Sequence, residues 1–286
     1  ARARADRVAV IPFTIKNEDF NLSAQLKIFS QQDKVYLEFQ SYIDQIDVTK
    51  INQNIPEALA NTQSTTWLDE VITEGVLTDI MLTTRFNISG ELETPNTKFS
   101  ANLKDAKLNV NSGWAPISDL NAKVTFSNDY VNITGKNAKL DVINLSYINI
   151  STRNFNKPEA QLVLNGRFNS ESETISQFIE NSPVPSRVKD YLNEFELRGD
   201  IWGNVTIVAP FQQDTKKKFE VDFDMYVTDN TLSLFDEKFS VKQYNSQISY
   251  HDGLVQTKGR GLIGGELFAL ALNPSDWIDD KSSVPR

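Results

Sequence analysis

The side chains able to do chemistry are few and scattered. The chain has one histidine, His251, and no cysteine. His251 follows Tyr250 and precedes Asp252-Gly253, a pair that favours a tight hairpin turn. It therefore reads as a surface turn residue rather than a general base. Asp222 and Asp224 lie two apart, a spacing that paired-acid chemistry or a Ca²⁺ site would use. Nothing like an EF-hand loop surrounds them, and they read as the wet face of a strand. Lys216, Lys217 and Lys218 could meet anionic phosphate groups, but three lysines entering a strand more often serve solubility. Asn-x-Ser/Thr triplets at Asn87, Asn132, Asn144, Asn149 and Asn204 arise by chance in alternating strands and are not read as glycosylation sites. The absence of cysteine excludes a disulfide framework, a zinc-thiolate site and a cysteine nucleophile. An enzyme is the weakest reading, and no metal or cofactor is expected.

Composition narrows the classes further. At 286 residues the chain is long enough for one or two ordinary domains or for a stack of repeats with a shared core. A net charge of -9 repels a phosphate backbone, so nucleic acid is not an expected partner. No apolar run approaches the roughly 20 residues that span a bilayer. The first residue is Ala1 rather than Met, and the chain is read as a section of something longer or a processed product.

Stepping along the chain, the same plan is written twice. Tyr191 stands 124 residues after Trp67, and Gly199 124 after Gly75. Phe99, Asp105, Leu108, Phe126, Val131 and Gly135 fall on Phe223, Asp229, Leu232, Tyr250, Val255 and Gly259 at that same offset. Such self-similarity marks two copies of one structural unit. The expected division is a leading strand set over 1–50, a first helix-pair and strand-set repeat over 51–165, and a second over 166–286, all in one continuous groove.

The strands show period-two alternation. Phe20, Leu22, Ala24, Leu26 and Ile28 share one face, and after a turn at 31–34 Val35, Leu37 and Phe39 resume it. Phe99, Ala101 and Leu103 precede an expected turn near Lys104-Asp105, followed by Ala106, Leu108 and Val110. Leu120, Val124 and Phe126 come next, then Val131 and Ile133. Over 219–227 every odd residue is apolar (Phe219, Val221, Phe223, Met225, Val227), and Leu232, Ile248 and Tyr250 continue the pattern. One dry and one wet face is an antiparallel habit. Helix pairs interrupt the sheet. Ser64 is a candidate N-cap for a helix carrying Trp67, Leu68, Val71 and Ile72, with Gly75 as its stop. Ser170-x-x-Glu173 reads as a capping box before Ile175, Phe178 and Ile179, and a second helix carries Val188, Tyr191 and Leu192 on one face.

These signals add up to on the order of sixteen strands of about six to eight residues, some 75 Å of sheet at about 4.8 Å per strand. Its apolar face must be hidden by closing a barrel, packing a second sheet, or curling into a trough. A trough would be an apolar channel suited to acyl chains, whereas a sandwich would be a filled core. Periodicity does not separate the two.

The helix pair with Trp67-Leu68 and Gly75, then Gly113-Trp114-Ala115-Pro116-Ile117-x-x-Leu120-x-Ala122-x-Val124-x-Phe126, Val131-x-Ile133-x-Gly135, Leu162-x-Leu164-x-Gly166 and Ile179-Glu180-Asn181-Ser182-Pro183, resembles the AsmA-like proteins of Gram-negative envelopes, most closely the YhdP subgroup. The resemblance runs from about Val8 to Pro274 and carries no catalytic signature. It implies a mainly β chain: an elongated, curled antiparallel sheet, an open groove with short helix pairs between strand sets. It also implies phospholipid as the ligand, moved between inner and outer membranes, and a periplasmic location within an inner-membrane-anchored protein. Membrane contact would then lie in regions missing from this chain. On this reading the alternating residues from Leu37 to Tyr250 line the groove, and the Trp67 and Tyr191 helices plug it or form lids. The competing readings are an assembly factor for outer-membrane proteins that uses its sheet edges, and a structural β-sandwich repeat.

Overall fold

The computed structural model describes residues 8–31, 34–51, 71–89, 95–109, 115–153, 160–182, 186, 189, 195–210, 220–234, 238–252 and 254–272. They form one antiparallel sheet of sixteen strands. In chain order these are β1 (Val8–Lys16), β2 (Asn21–Gln31), β3 (Lys34–Asp47), β4 (Ile72–Asn87), β5 (Asn96–Leu108), β6 (Ile117–Ser127), β7 (Tyr130–Lys136), β8 (Ala138–Leu140), β9 (Ile143–Arg153), β10 (Gln161–Glu171), β11 (Phe195–Arg198), β12 (Asp200–Pro210), β13 (Glu220–Leu234), β14 (Phe239–His251), β15 (Leu254–Ile263) and β16 (Glu266–Leu272). Each strand pairs with the next, except that β7 and β8 share the place between β6 and β9, and β11 and β12 both pair β13. Helix α1 (Ser172–Asn181) lies between β10 and β11.

The strands are longer than the alternation suggests, reaching 16 residues in β4 and 15 in β13. Bulges carry them past the points where the sequence reads as turns. The turn expected at Lys104-Asp105 is one of these: β5 runs straight through it, with Asp105 at φ 48° and the pairing shifting between Leu103 and Ala106. Asp and Asn tolerate the left-handed region better than most residues, so one can serve as the extra residue of a bulge. The second copy repeats the device. Asp229 sits at φ 56° and the pairing shifts between Val227 and Asn230. Asn121 accepts from the Asp105 backbone N–H at 3.4 Å, and Asn245 from that of Asp229 at 3.2 Å. The shared offset of 124 residues is therefore visible in the backbone as well as in the side chains.

Two helix boundaries differ from expectation. Helical geometry ends at Val71, and β4 starts at Ile72, so Ile72 and Gly75 belong to a strand. Gly75, at φ +131°, lies within the bulged pairing of β4 with β5, against Ala106 and the Lys104 carbonyl. Its counterpart Gly199, at φ +133°, separates β11 from β12. The Ser170 capping box does not form, because β10 extends to Glu171 by pairing Ser170 with Ile201. Glu171 is the N-cap without a side-chain bond. Instead the Ser172 hydroxyl donates to the Leu197 carbonyl at 2.6 Å and its N–H to Gly199 at 2.9 Å. The expected helix around Ser64 and the helix face of Val188, Tyr191 and Leu192 lie outside the described residues. A division between residues 165 and 166 falls inside β10.

One face of this sheet is largely apolar along its whole length. Leu108, Ile117, Leu120, Ile133 and Ile148 are wholly buried on it. Among the described residues there is no second sheet, and α1 packs against β9, β10 and β11. These buried side chains belong to one contiguous hydrophobic cluster on a curled sheet.

Candidate functional site: the apolar face

Strand pairing makes the face continuous. One row crosses it through Ala101, Val124, Ile133, Ile150, Leu164, Ile207 and Val221, each the direct partner of the next. A second runs Val205, Phe223, Tyr250, Val255, with the Phe223 and Tyr250 rings stacked at 5.3 Å. Because side chains alternate, each residue of such a row faces the same side as its partners.

Of the residues expected to line a groove, Leu103, Leu108, Leu120, Val124, Val131, Ile133, Met225, Val227, Leu232, Ile248 and Tyr250 are buried on this face. Leu37, Phe39, Phe99, Phe126, Val221 and Phe223 are half-buried. Val110, Phe219, Trp67, Leu68, Val188, Tyr191 and Leu192 lie outside the described residues, as do Lys216, Lys217 and Lys218. Val71 is buried at the entry to β4.

Burial is uneven along the sheet. From β5 to β14 most of the face is buried, with Phe99, Phe126, Val221 and Phe223 half-buried along one margin. At β1 to β3 it is open: Ile11 and Ile15 are 55% and 48% exposed, and Phe13 meets Phe39 at 6.3 Å between ring centres. The open end thus presents the same residue types that the centre packs away.

Helix α1 seats Ile175 and Ile179 against the closed part. They line a cavity of about 50 Å³ with Ser172, Ser176, Leu197, Ile201, Met225, Leu232, Tyr244, Ile248, Thr257 and Leu270. The helices expected to plug or cover the groove, carrying Trp67 and Tyr191, lie outside the described residues; α1 is the helix whose i, i+4 residues Ile175 and Ile179 are seen buried. Polar groups also enter this interior. Asn230, Tyr244, Ser246 and Thr257 are all buried, and Ser246 and Thr257 share a hydroxyl bond of 2.9 Å. Their alternation hides them among apolar neighbours.

The chemistry-bearing residues gather on the opposite, wet face. His251, the last residue of β14, places Nε2 3.3 Å from Asp224 and Nδ1 3.6 Å from Asp222. The Ser249 hydroxyl donates to Asp224 at 2.6 Å. That bond, with a smaller effect from His251, holds the Asp224 carboxyl below its ordinary value against partial burial. Sequence spacing paired the two aspartates but did not bring His251 to them; the hairpin pairing of β13 with β14 does. The trio is exposed to half-exposed at a strand end. Among the described residues no group of three His, Cys, Asp or Glu is placed to hold a metal ion. Asn149 donates to Asn132 at 2.7 Å and to Thr134 at 2.9 Å, a polar ladder across β7 and β9.

The repeated antiparallel sheet, with one largely apolar face and an opposite polar one, agrees with the fold that the AsmA-like resemblance implies. The model of the YhdP protein family matches residues 3–267, and the chain belongs to that family. No curated protein and no solved structure matches it significantly. Among the described residues no helix is long and apolar enough to cross a membrane.

Proposed function

We propose that this chain is a section of a periplasmic lipid path, whose apolar face keeps phospholipid acyl chains out of water between the inner and outer membranes. The observation that carries this reading is the continuity of that face, together with its exposure at β1 to β3. Membership of the YhdP family supports it. Each methylene kept dry is worth about 0.8 kcal/mol, so a few ordered methylenes suffice to hold a chain. Head groups stay at the wet opening. The buried centre must part for a chain to pass, and the cavity under α1 is a place where packing is already incomplete. A groove has no direction of its own; net flow follows a gradient or a coupled partner. No catalytic step is involved.

Native mass spectrometry of the purified chain with lipid extraction tests this. Wild type is expected to carry phospholipid, and Phe13→Glu with Phe39→Glu to lose it while circular dichroism stays unchanged. Lipid-free wild type would overturn the reading.

The second reading is an assembly factor working through its sheet edges, which would take up a client strand by main-chain pairing. Crosslinks from client strands to β1, with none to the trough wall, would select it.

A further inference from the structure

The internal repeat supplies its own control. At four interior positions the first copy has Ala106, Leu120, Ala122 and Ile133, and the second, 124 residues on, has Asn230, Tyr244, Ser246 and Thr257. The backbone is the same: Ala106 pairs with Leu120 and Asn230 with Tyr244, each at a bulge. The substitutions therefore change chemistry without changing position, and all four fall on the apolar face.

Buried polar groups are normally satisfied, and an orphan needs a reason. Asn230 is 3% exposed, and among the described residues its side-chain N–H₂ has no hydrogen-bond partner. Its amide lies against Gly199, where an added Cβ would come within 2.6 Å of Oδ1. The residues two before and two after Gly199, Leu197 and Ile201, line the 50 Å³ cavity, as do Tyr244 and Thr257. The donor thus lies against Gly199, behind the Leu197 and Ile201 part of the cavity wall, while Tyr244 and Thr257 line the cavity itself and Ser246 is bonded to Thr257. That volume takes a few waters or one small oxygen-bearing group, not an acyl chain.

We propose that the second repeat is a polar station in the trough: the notch of Asn230, Tyr244, Ser246 and Thr257 takes a hydrogen-bond-accepting oxygen, the ester carbonyl of a lipid, whose chains lie along the adjoining apolar wall. This rests on the acyl-path reading. Ordered water offers the same acceptor chemistry and is the competing source. The first repeat, with only hydrocarbon at these positions, offers such an oxygen no partner.

The test compares the affinity of the purified chain for dioctanoyl phosphatidylcholine with that for its dialkyl ether analogue, which lacks both ester carbonyls. Wild type is expected to prefer the ester by roughly three- to tenfold, the effect of one to two hydrogen bonds. The variant N230A/Y244L/S246A/T257I, built from the first copy's own residues, is expected to bind both equally. Should it not fold, Asn230→Ala alone is expected to lower the preference at least twofold. Equal affinity of wild type for the two lipids would assign the notch to water and overturn the station while leaving the acyl path standing. Binding of neither lipid would overturn the acyl path itself.

Discussion

In the first copy Leu120 packs over Gly135, and in the second Tyr244 packs over Gly259; a Cβ would come within 2.5 Å of the leucine or 2.3 Å of the tyrosine hydroxyl. The glycine is kept in both, while the residue it accommodates has changed from hydrocarbon to phenol. The bulges at Asp105 and Asp229, and the asparagines that brace them, are kept as well. What the two copies share is thus the geometry that bends the strands, and what they vary is the surface offered to the interior. The curl is specified by a few bulge and close-approach residues, which leaves the lining free to differ from one repeat to the next.

The comparison can be broken at its strongest point by truncating equivalent core leucines. Leu108→Ala and Leu232→Ala remove side chains that are 0% and 2% exposed, and each is expected to cost about 2–5 kcal/mol in urea denaturation. A loss under about 1 kcal/mol at Leu232 would mean that the second interior is not packed as the first is. Gly135→Ala and Gly259→Ala are expected to cost about 1–3 kcal/mol each by overpacking. Only the second should be rescued by trimming its neighbour to Leu at position 244, because a Cβ at Gly135 also meets the Asn121 backbone carbonyl at 2.8 Å. Asn230→Ala is expected to raise stability by about 1 kcal/mol by removing an unpartnered buried amide. Asn245→Ala should cost about 1 kcal/mol and Asn121→Ala less, since Asn245 also donates to Gln243 at 2.8 Å where Asn121 reaches Asp119 at 3.4 Å.

The smallest effect is a pH dependence confined to the second copy. Ser249 and His251 depress the Asp224 pKa, so this pairing stabilises fully above the unfolded value near 3.8 and is lost as pH falls through the folded one. Ser100 and Thr125, the residues 124 places before Asp224 and Ser249, have nothing to titrate. Asp224→Ser is expected to lower stability slightly at neutral pH, by what this pairing contributes, and to leave it unchanged at the acid end, so that the acid limb is flatter than in wild type.

The alternation of Val221, Phe223, Met225 and Val227 was legible because a one-faced sheet requires it, and the antiparallel sheet and the repeat followed from the same pattern. Strand length was not legible. Asp105 and Asp229 carry turn chemistry, yet in a bulge that chemistry continues a strand, and only the cross-strand pairing decides which. Ser170 met the same fate, since pairing with Ile201 outweighed its capping preference. The closed centre and the open end were equally hidden, because burial depends on how far the sheet curls, and Ile11 and Ile133 are the same residue in the sequence. The polar notch was within reach, since setting Leu120 against Tyr244 at the repeat offset exposes it.

The central claim is that the apolar face is where lipid travels. A photoreactive phenylalanine placed in turn at Phe13, Phe39, Phe99, Phe126 and Phe223 on that face, and at Tyr36 and Trp202 on the opposite one, tests it directly after incubation with radiolabelled phospholipid vesicles. The account expects lipid adducts at the first five positions and none at the last two. Adducts on both faces alike, or on neither, would contradict it.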